Sequence, residues 1–192
     1  MKILFVSSEC APFSKSGGLA DVAFSLPPAL QKTGDDMAIV TPMYRVTQEN
    51  YGDEFERIKT CQIVLGQRRL ACSLYRGALN GVTVYAIGNE HLFHRPRLYG
   101  YGDDSLRFAF FCRAVIDLLP EFGDLPDILH CNDWETALAI LYLKNDAVLR
   151  PELSHIKTVY TIHNIAYQGQ FGRSEMEATF ALPDGWYHGG LS

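Results

Sequence analysis

The sequence lacks any long uninterrupted hydrophobic run. The apolar segment at residues 3–6 turns polar at residues 7–9, well short of the roughly 20 apolar residues of a membrane span. It is also too short for the apolar region of a secretion signal. We therefore expect a soluble, cytoplasmic protein that has no membrane partner.

The sequence also lacks an excess of positive charge. Its formal net charge is −5, and its 17 Lys and Arg residues are scattered along the chain. Nucleic-acid binding needs clustered basic residues that release counterions from the phosphate backbone. These observations exclude a nucleic-acid partner, whereas a sugar nucleotide needs only a few local donors.

Paired cysteines are absent as well. The five cysteines are odd in number and form neither a C-x-x-C pair nor a dense disulfide framework. They are Cys10, Cys61, Cys72, Cys112 and Cys131. We expect reduced cysteines in the core and, because no metal-ligating side chains cluster, no metal site.

Strands and helices alternate along a chain of 192 residues, which is long enough for one domain with a sizeable core. Strand-like runs are predicted at 2–8, 37–40, 61–65, 70–75, 82–87, 127–130 and 158–162, and helices at 18–33, 106–119 and 136–143. Asn80-Gly81 is a type I′ hairpin signal inside a β-rich insertion at residues 55–87. The pattern predicts an α/β fold with a Rossmann-like, doubly wound, mostly parallel sheet and a β-hairpin insertion.

Ligands of such sheets bind outside the carboxyl ends of the strands. Three segments follow strands there, at residues 9–18, 130–134 and 163–168. In the first, Lys15-Ser16-Gly17-Gly18 precedes a helix, where backbone N–H groups and the lysine favour an anion. An exposed lysine before a tight turn is an equally good interpretation. Neither a Walker A loop nor a G-x-G-x-x-G fingerprint is present.

Four motifs in the same order resemble those of the bacterial glycogen synthase and plant starch synthase family. The motifs are Lys15-Ser16-Gly17-Gly18-Leu19-Ala20-Asp21-Val22, the stretch from Leu98-Tyr99-Gly100 to Arg107-Phe108-Ala109-Phe110-Phe111, His130-Cys131-Asn132-Asp133-Trp134, and Thr161-Ile162-His163-Asn164 followed by Tyr167-Gln168-Gly169. The resemblance implies the N-terminal, acceptor-side half of a GT-B glycosyltransferase. Such an enzyme transfers glucose from ADP-glucose to the 4-hydroxyl of an α-1,4-glucan, with retention and without a separate cofactor.

The same resemblance implies roles for particular residues. Lys15 is expected to reach the diphosphate, with the backbone of Gly17 and Gly18 close to the same group. His163 is expected to bond a glucose hydroxyl, and Asp133 to orient the acceptor or the transferred sugar. Further candidate glucan contacts are Glu9, Tyr99 and Asn164.

Structural alternatives remain open for several of these residues. His163 could be a buried structural histidine, and Asp133 could be the N-cap of a helix without a catalytic task. Trp134 more often anchors a core than binds a sugar, and Tyr101 and Tyr167 could simply pack.

The resemblance further implies that a C-terminal nucleotide-binding domain is absent from residues 1–192 and that this fragment alone is inactive. The chain ends among glycines at residues 189–192 without a closing element, so we expect a longer protein. Rival hypotheses are a non-catalytic glucan or sugar-nucleotide binding module, a nicotinamide-dependent oxidoreductase, and a related GT-B enzyme acting on sucrose or trehalose.

Overall fold

The computed structural model of the chain describes residues 1–182, without the side chains of residues 174–176. Its strands are β1 (Lys2–Val6), β2 (Asp36–Pro42), β3 (Glu56–Leu65), β4 (Arg68–Leu79), β5 (Val82–Gly88), β6 (Ile128–Asn132) and β7 (Lys157–Thr161). Its helices are α1 (Gly18–Lys32), α2 (Arg45–Tyr51), α3 (Glu90–Phe93), α4 (Asp104–Asp117), α5 (Trp134–Asp146) and α6 (Arg173–Phe180). The expected lack of a closing element at residues 189–192 concerns positions outside the described residues.

All seven strands form one sheet in the order β3-β4-β5-β2-β1-β6-β7. Strands β5, β2, β1, β6 and β7 pair in parallel, whereas β3-β4 and β4-β5 pair antiparallel. The mostly parallel α/β sheet predicted from the sequence is therefore confirmed. The chain runs outward from β1 in both directions, which makes the β1-β6 boundary the switch point of the sheet.

Helices cover both faces of the parallel sheet. Leu4 and Val6 of β1 pack in one buried cluster with residues of α4 and α5. Ile3 and Phe5 of the same strand pack in a second cluster with Ala23 of α1. Successive side chains of a strand point to opposite faces, so this central strand is buried on both, as its continuous apolar sequence indicates.

The predicted β-rich insertion divides into two parts. Strands β3 and β4 extend the sheet as an antiparallel edge, but β5 pairs in parallel with β2 and belongs to the central sheet. The turn between β4 and β5 has positive φ at Asn80 (50°) and Gly81 (84°), as a type I′ turn requires. The hairpin prediction is confirmed, and the insertion is smaller than predicted.

Among residues 1–182, no helix is both long enough and apolar enough to cross a membrane.

Candidate functional site

A cleft of about 730 Å³ opens at the switch point, beside the carboxyl ends of β1, β6 and β7. It brings together residues from all three segments that follow predicted strands. The lining residues are Glu9, Ser16, Gly17, Gly18, Leu19, Val22, Tyr99, Asp133, Trp134, Glu135, His163, Asn164 and Tyr167. Every candidate site residue predicted from the sequence lies in this wall except Lys15.

Glu9 organises the loop between β1 and α1. Its buried carboxylate accepts hydrogen bonds from the backbone N–H groups of Ser16 and Gly17, the latter at 3.1 Å, and from the Ser16 hydroxyl at 2.7 Å. The Tyr99 hydroxyl donates to Glu9 Oε1 at 2.9 Å and lies 2.9 Å from Ser8 Oγ. The carboxylate thus holds the start of the helix where an anionic ligand was predicted.

The glycines at this loop leave space in the cleft. A Cβ atom added to Gly17 or Gly18 would meet no atom within 4 Å. The protein's own packing therefore does not require glycine at either position, and a ligand can approach this backbone closely.

Lys15 is not among the residues that line the cleft. Its ammonium group donates to both carboxylate oxygens of Asp21, at 2.7 and 2.8 Å, and both side chains are more than half exposed. The interpretation of Lys15 as an exposed residue before a turn fits this geometry. Its role toward a diphosphate stays a prediction.

Asp133 connects β6 to the segment that follows β7. It precedes α5, but its side chain makes no capping hydrogen bond to that helix. Instead Oδ1 accepts from the backbone N–H groups of His163 at 2.7 Å and Asn164 at 3.3 Å. Asp133 is thus the N-cap residue of α5 by position, but its side chain fixes the backbone of two other cleft residues instead of capping the helix.

The backbone of Asp133 is strained, with φ at 58° and ψ at 175°. This region of conformational space is almost restricted to glycine and costs about 1–3 kcal/mol for other residues. Strain of this kind concentrates at functional sites, because the surrounding structure must hold it for a reason other than stability.

His163 is held by an amide that leaves one ring nitrogen for a ligand. Its Nε2 lies 2.9 Å from Oδ1 of Asn132, whose Nδ2 donates to the carbonyl oxygens of Val6 and His130. Because the amide nitrogen is identified by those two carbonyls, Oδ1 is the acceptor and Nε2 carries the proton. Nδ1 of the neutral ring is then an acceptor. The side chain is exposed, so the alternative of a buried structural histidine is wrong.

Trp134 and Tyr167 line the cleft together with Tyr99. Trp134 lines it while packing against Phe108 and Phe171, with ring centroids 5.2 and 5.4 Å apart; it is both core anchor and cleft wall. Tyr167 is 72% exposed in the wall, so the interpretation that it merely packs is wrong. Tyr101 does pack, beneath the guanidinium groups of Arg95, Arg97 and Arg107.

Glu135 is a cleft residue that sequence reasoning missed. It is buried in the first turn of α5, and burial raises the pKa of its carboxyl from 4.5 to about 8, with smaller contributions from the charges of Asp133 and Glu9. An acidic residue in the first turn of a helix is usually an exposed partner of the helix dipole. Only its burial in the fold distinguishes it.

The lining carries acids and amides but no strong cation. None of the described lining residues is Lys or Arg. Within residues 1–182, no group of three or more His, Cys, Asp or Glu side chains is arranged to hold a metal ion. This wall suits a neutral ligand rich in hydroxyl groups better than an anion, since hydroxyls both donate to carboxylates and accept from N–H groups.

Comparisons with known proteins agree with one another. The glycogen synthase of Geobacillus thermodenitrificans is 43% identical over 189 residues, which cover 97% of this chain and 38% of that protein. The glycogen synthase of Clostridium novyi is 40% identical over 188 residues, 97% of this chain and 39% of that protein. The chain therefore spans about two fifths of the length of these relatives.

A solved structure shares the fold. The catalytic domain of starch synthase IV from Arabidopsis thaliana, bound to ADP and acarbose, superposes with a TM-score of 0.83 at 29% identity. The match covers 96% of this chain and 38% of that one. The family described as the starch synthase catalytic domain matches residues 2–191. The chain belongs to the starch synthase catalytic domain family.

Proposed function

We propose that this chain forms the acceptor-side half of a glycogen or starch synthase, which transfers glucose from ADP-glucose to the 4-hydroxyl of an α-1,4-glucan. The observation that carries the proposal is the cleft at the switch point, walled by hydrogen-bonding groups and three aromatic rings and free of Lys and Arg among its described lining residues. Polar groups match the hydroxyl edges of a sugar, and aromatic rings match its apolar faces. Membership of the family supports the reaction assigned to that cleft.

In the proposed reaction, the bond between C1 of glucose and the oxygen of ADP breaks, and ADP leaves with the electron pair. The 4-hydroxyl oxygen of the glucan bonds to C1 on the same face, and its proton passes to the departing ADP, whose phosphate oxygen carries the electron pair of the broken bond. His163 binds a hydroxyl of the transferred glucose through the ring nitrogen that Asn132 leaves unoccupied. Asp133 acts as a positioning residue, because its carboxylate holds the backbone N–H groups of His163 and Asn164.

Charge on the departing ADP must be stabilised by cations. Lys15 is the basic residue of the loop before α1, and it would exchange its partner Asp21 for the diphosphate. We propose that a second, nucleotide-binding domain in the rest of the protein supplies the other cations. The donor substrate itself brings the phosphate leaving group, so the proposal requires no resident cofactor or metal.

Incorporation of labelled glucose from ADP-glucose into glycogen by the complete protein tests the proposal. The key variant is His163→Ala, and His155→Ala is the matched control, because His155 is exposed and its ring bonds the local carbonyl of Glu152. We expect His163→Ala to fold and to lose nearly all transfer, and the control to retain it. Transfer by His163→Ala at the control rate would refute the role of this histidine, and loss of folding would restore a structural role.

A further inference from the structure

The antiparallel edge of the sheet carries two cysteines that face each other. Cys61 of β3 pairs directly with Cys72 of β4, inside a stretch of regular register that runs from Lys59 to Leu65. Both residues are free thiols. Directly opposite residues of neighbouring strands project their side chains from the same face of the sheet. The fold therefore places two thiols side by side that are far apart in sequence.

The spacing of such residues suits a disulfide bond. Directly opposite residues of an antiparallel pair have Cα atoms about 4.5 or 5.5 Å apart, depending on whether they share ladder hydrogen bonds. A disulfide joins residues whose Cα atoms are about 4.4–6.8 Å apart. The irregularity of this ladder lies between Arg57 and Lys59, outside the stretch that holds the cysteines. Cys61 and Cys72 can therefore be joined with little movement of the backbone.

The surroundings of the two side chains also indicate that the sulfur atoms are close. Cys72 is buried in the cluster that includes the apolar residues of α4, and Cys61 packs against that cluster. Burial raises the pKa of the Cys72 thiol, and the neighbouring Cys61 thiol raises this pKa further. Two such groups influence each other in this way only at short range. The strand register and the electrostatic contact thus agree.

Exposure distinguishes Cys61 from the other cysteines of the chain. Cys61 is partly exposed, whereas Cys72 beside it is buried. The cysteines outside the β3-β4 hairpin are fully buried, and they are Cys10, Cys112 and Cys131. Because dissolved reagents react with accessible thiols and leave buried ones inert, Cys61 is the thiol that a reagent meets first.

We propose that Cys61 and Cys72 form an oxidation site, at which a small-molecule disulfide produces a cross-strand disulfide bond. The Cys61 thiolate attacks one sulfur of the reagent, which forms a mixed disulfide and releases one reagent thiolate. Cys72, after losing its proton to solvent, attacks the Cys61 sulfur and releases the second reagent thiolate. The two cysteines are oxidised, and the reagent is reduced to two thiols, which take up protons from solvent.

The bond joins β3 and β4 covalently at the edge of the sheet. A cross-link of this kind restricts the unfolded chain and so favours the folded state of the hairpin. Strands β5 and β2 separate this hairpin from β1 and β6, beside which the cleft opens. The inference is therefore independent of the proposed function, and a failure of either one leaves the other in place.

Oxidation of the folded, complete protein by oxidised glutathione at about pH 8, followed by tryptic peptide mapping, tests the inference. Lys and Arg residues flank both cysteines, so trypsin places them on separate peptides, residues 60–68 and 70–76. Oxidised wild type should yield these two peptides linked, and dithiothreitol should separate them. Amide hydrogen exchange in residues 56–79 should slow by about tenfold on oxidation and recover on reduction.

Two variants test the order of the steps. Cys72→Ser lacks the second thiol, so Cys61 should stop at the mixed disulfide and its peptide should carry one glutathione. Cys61→Ser lacks the accessible thiol, so Cys72 should remain reduced. The matched control is Thr60→Ser, a substitution at the exposed position next to Cys61, which should give as much of the linked peptides as wild type.

Three results would each overturn the inference. The first is that both cysteines of folded wild type stay reduced, or that the mixed disulfide on Cys61 accumulates without the linked peptides. The second is that the linked peptides form only when the protein is oxidised in urea. The third is that exchange in the β3-β4 hairpin is the same in the linked and the reduced protein.

Discussion

Replacing Asp133 by alanine and by glycine separates the contribution of its hydrogen bonds from the cost of its strained backbone. Alanine removes the carboxylate but keeps a Cβ at the strained φ of 58° and ψ of 175°. Glycine removes the carboxylate and the strain together. Both variants lose the hydrogen bonds from the backbone N–H groups of His163 and Asn164.

The magnitudes follow from these contacts. Hydrogen bonds to a charged acceptor contribute about 1.5–3 kcal/mol, so Asp133→Ala should lower the free energy of unfolding by about 2–3 kcal/mol. Releasing the strain raises the free energy of unfolding by about 1–3 kcal/mol. The greater conformational freedom of glycine in the unfolded chain lowers it by about 0.5–1 kcal/mol. Asp133→Gly should therefore be about 1 kcal/mol more stable than Asp133→Ala. At most positions a glycine variant is less stable than the alanine variant.

Urea unfolding followed by tryptophan fluorescence measures the difference, with Trp134 next to the substituted position. Both variants should also lose most glucose transfer, because His163 is no longer held. Equal stability of the two variants, or greater stability of Asp133→Ala, would refute the claim of strain. Full activity in either variant would refute the positioning role.

Further predictions concern other residues of the cleft and its surroundings. Lys15→Ala should lower turnover with ADP-glucose about a hundredfold while changing glycogen affinity less; unchanged turnover would contradict the diphosphate role. The folded state holds the Glu135 proton up to about pH 8, above the ordinary 4.5 of the carboxyl. Stability should therefore fall by about 1.4 kcal/mol per pH unit from this residue as the pH rises between those values. Urea titrations of Glu135→Gln should lack that contribution; the same slope in both proteins would contradict it. A Cβ on Gly169 would lie 2.4 Å from the Trp134 ring at a φ of +60°, so Gly169→Ala should lose about 2 kcal/mol. Gly172→Ala, which meets no atom within 4 Å, should unfold at the wild-type urea concentration, and equal midpoints for both variants would refute the close contact.

Periodicity was enough to predict most of the fold. The apolar run at β1 is buried on both faces because every residue of a central parallel strand is covered. Asn80-Gly81 predicted its turn because a type I′ turn needs positive φ at both central residues, which Asn-Gly adopts at little cost in energy. The parallel pairing of β5 with β2 could not be predicted. The residues of a strand that follows a hairpin turn do not indicate which strand pairs with its other edge.

The cleft was predicted from the positions that follow strands, since carboxyl ends of neighbouring parallel strands meet at one edge. Glu9, Asp133 and His163 come together for that reason. The side-chain partners depend on contacts distant in sequence: Asp133 bonds the backbone thirty residues on. The burial of Glu135 likewise arises from the packing of α5 against α4, where the Cys112 thiol bonds the Glu135 carbonyl.

Transfer of labelled glucose into glycogen is the most direct test of the proposed function. The complete protein should be supplied separately with ADP-glucose and UDP-glucose, and the 192-residue chain should be assayed alongside. We expect incorporation from ADP-glucose by the complete protein and none by the 192-residue chain alone. Incorporation from neither donor would contradict the synthase function, and incorporation by the short chain would contradict the division of the reaction between two domains.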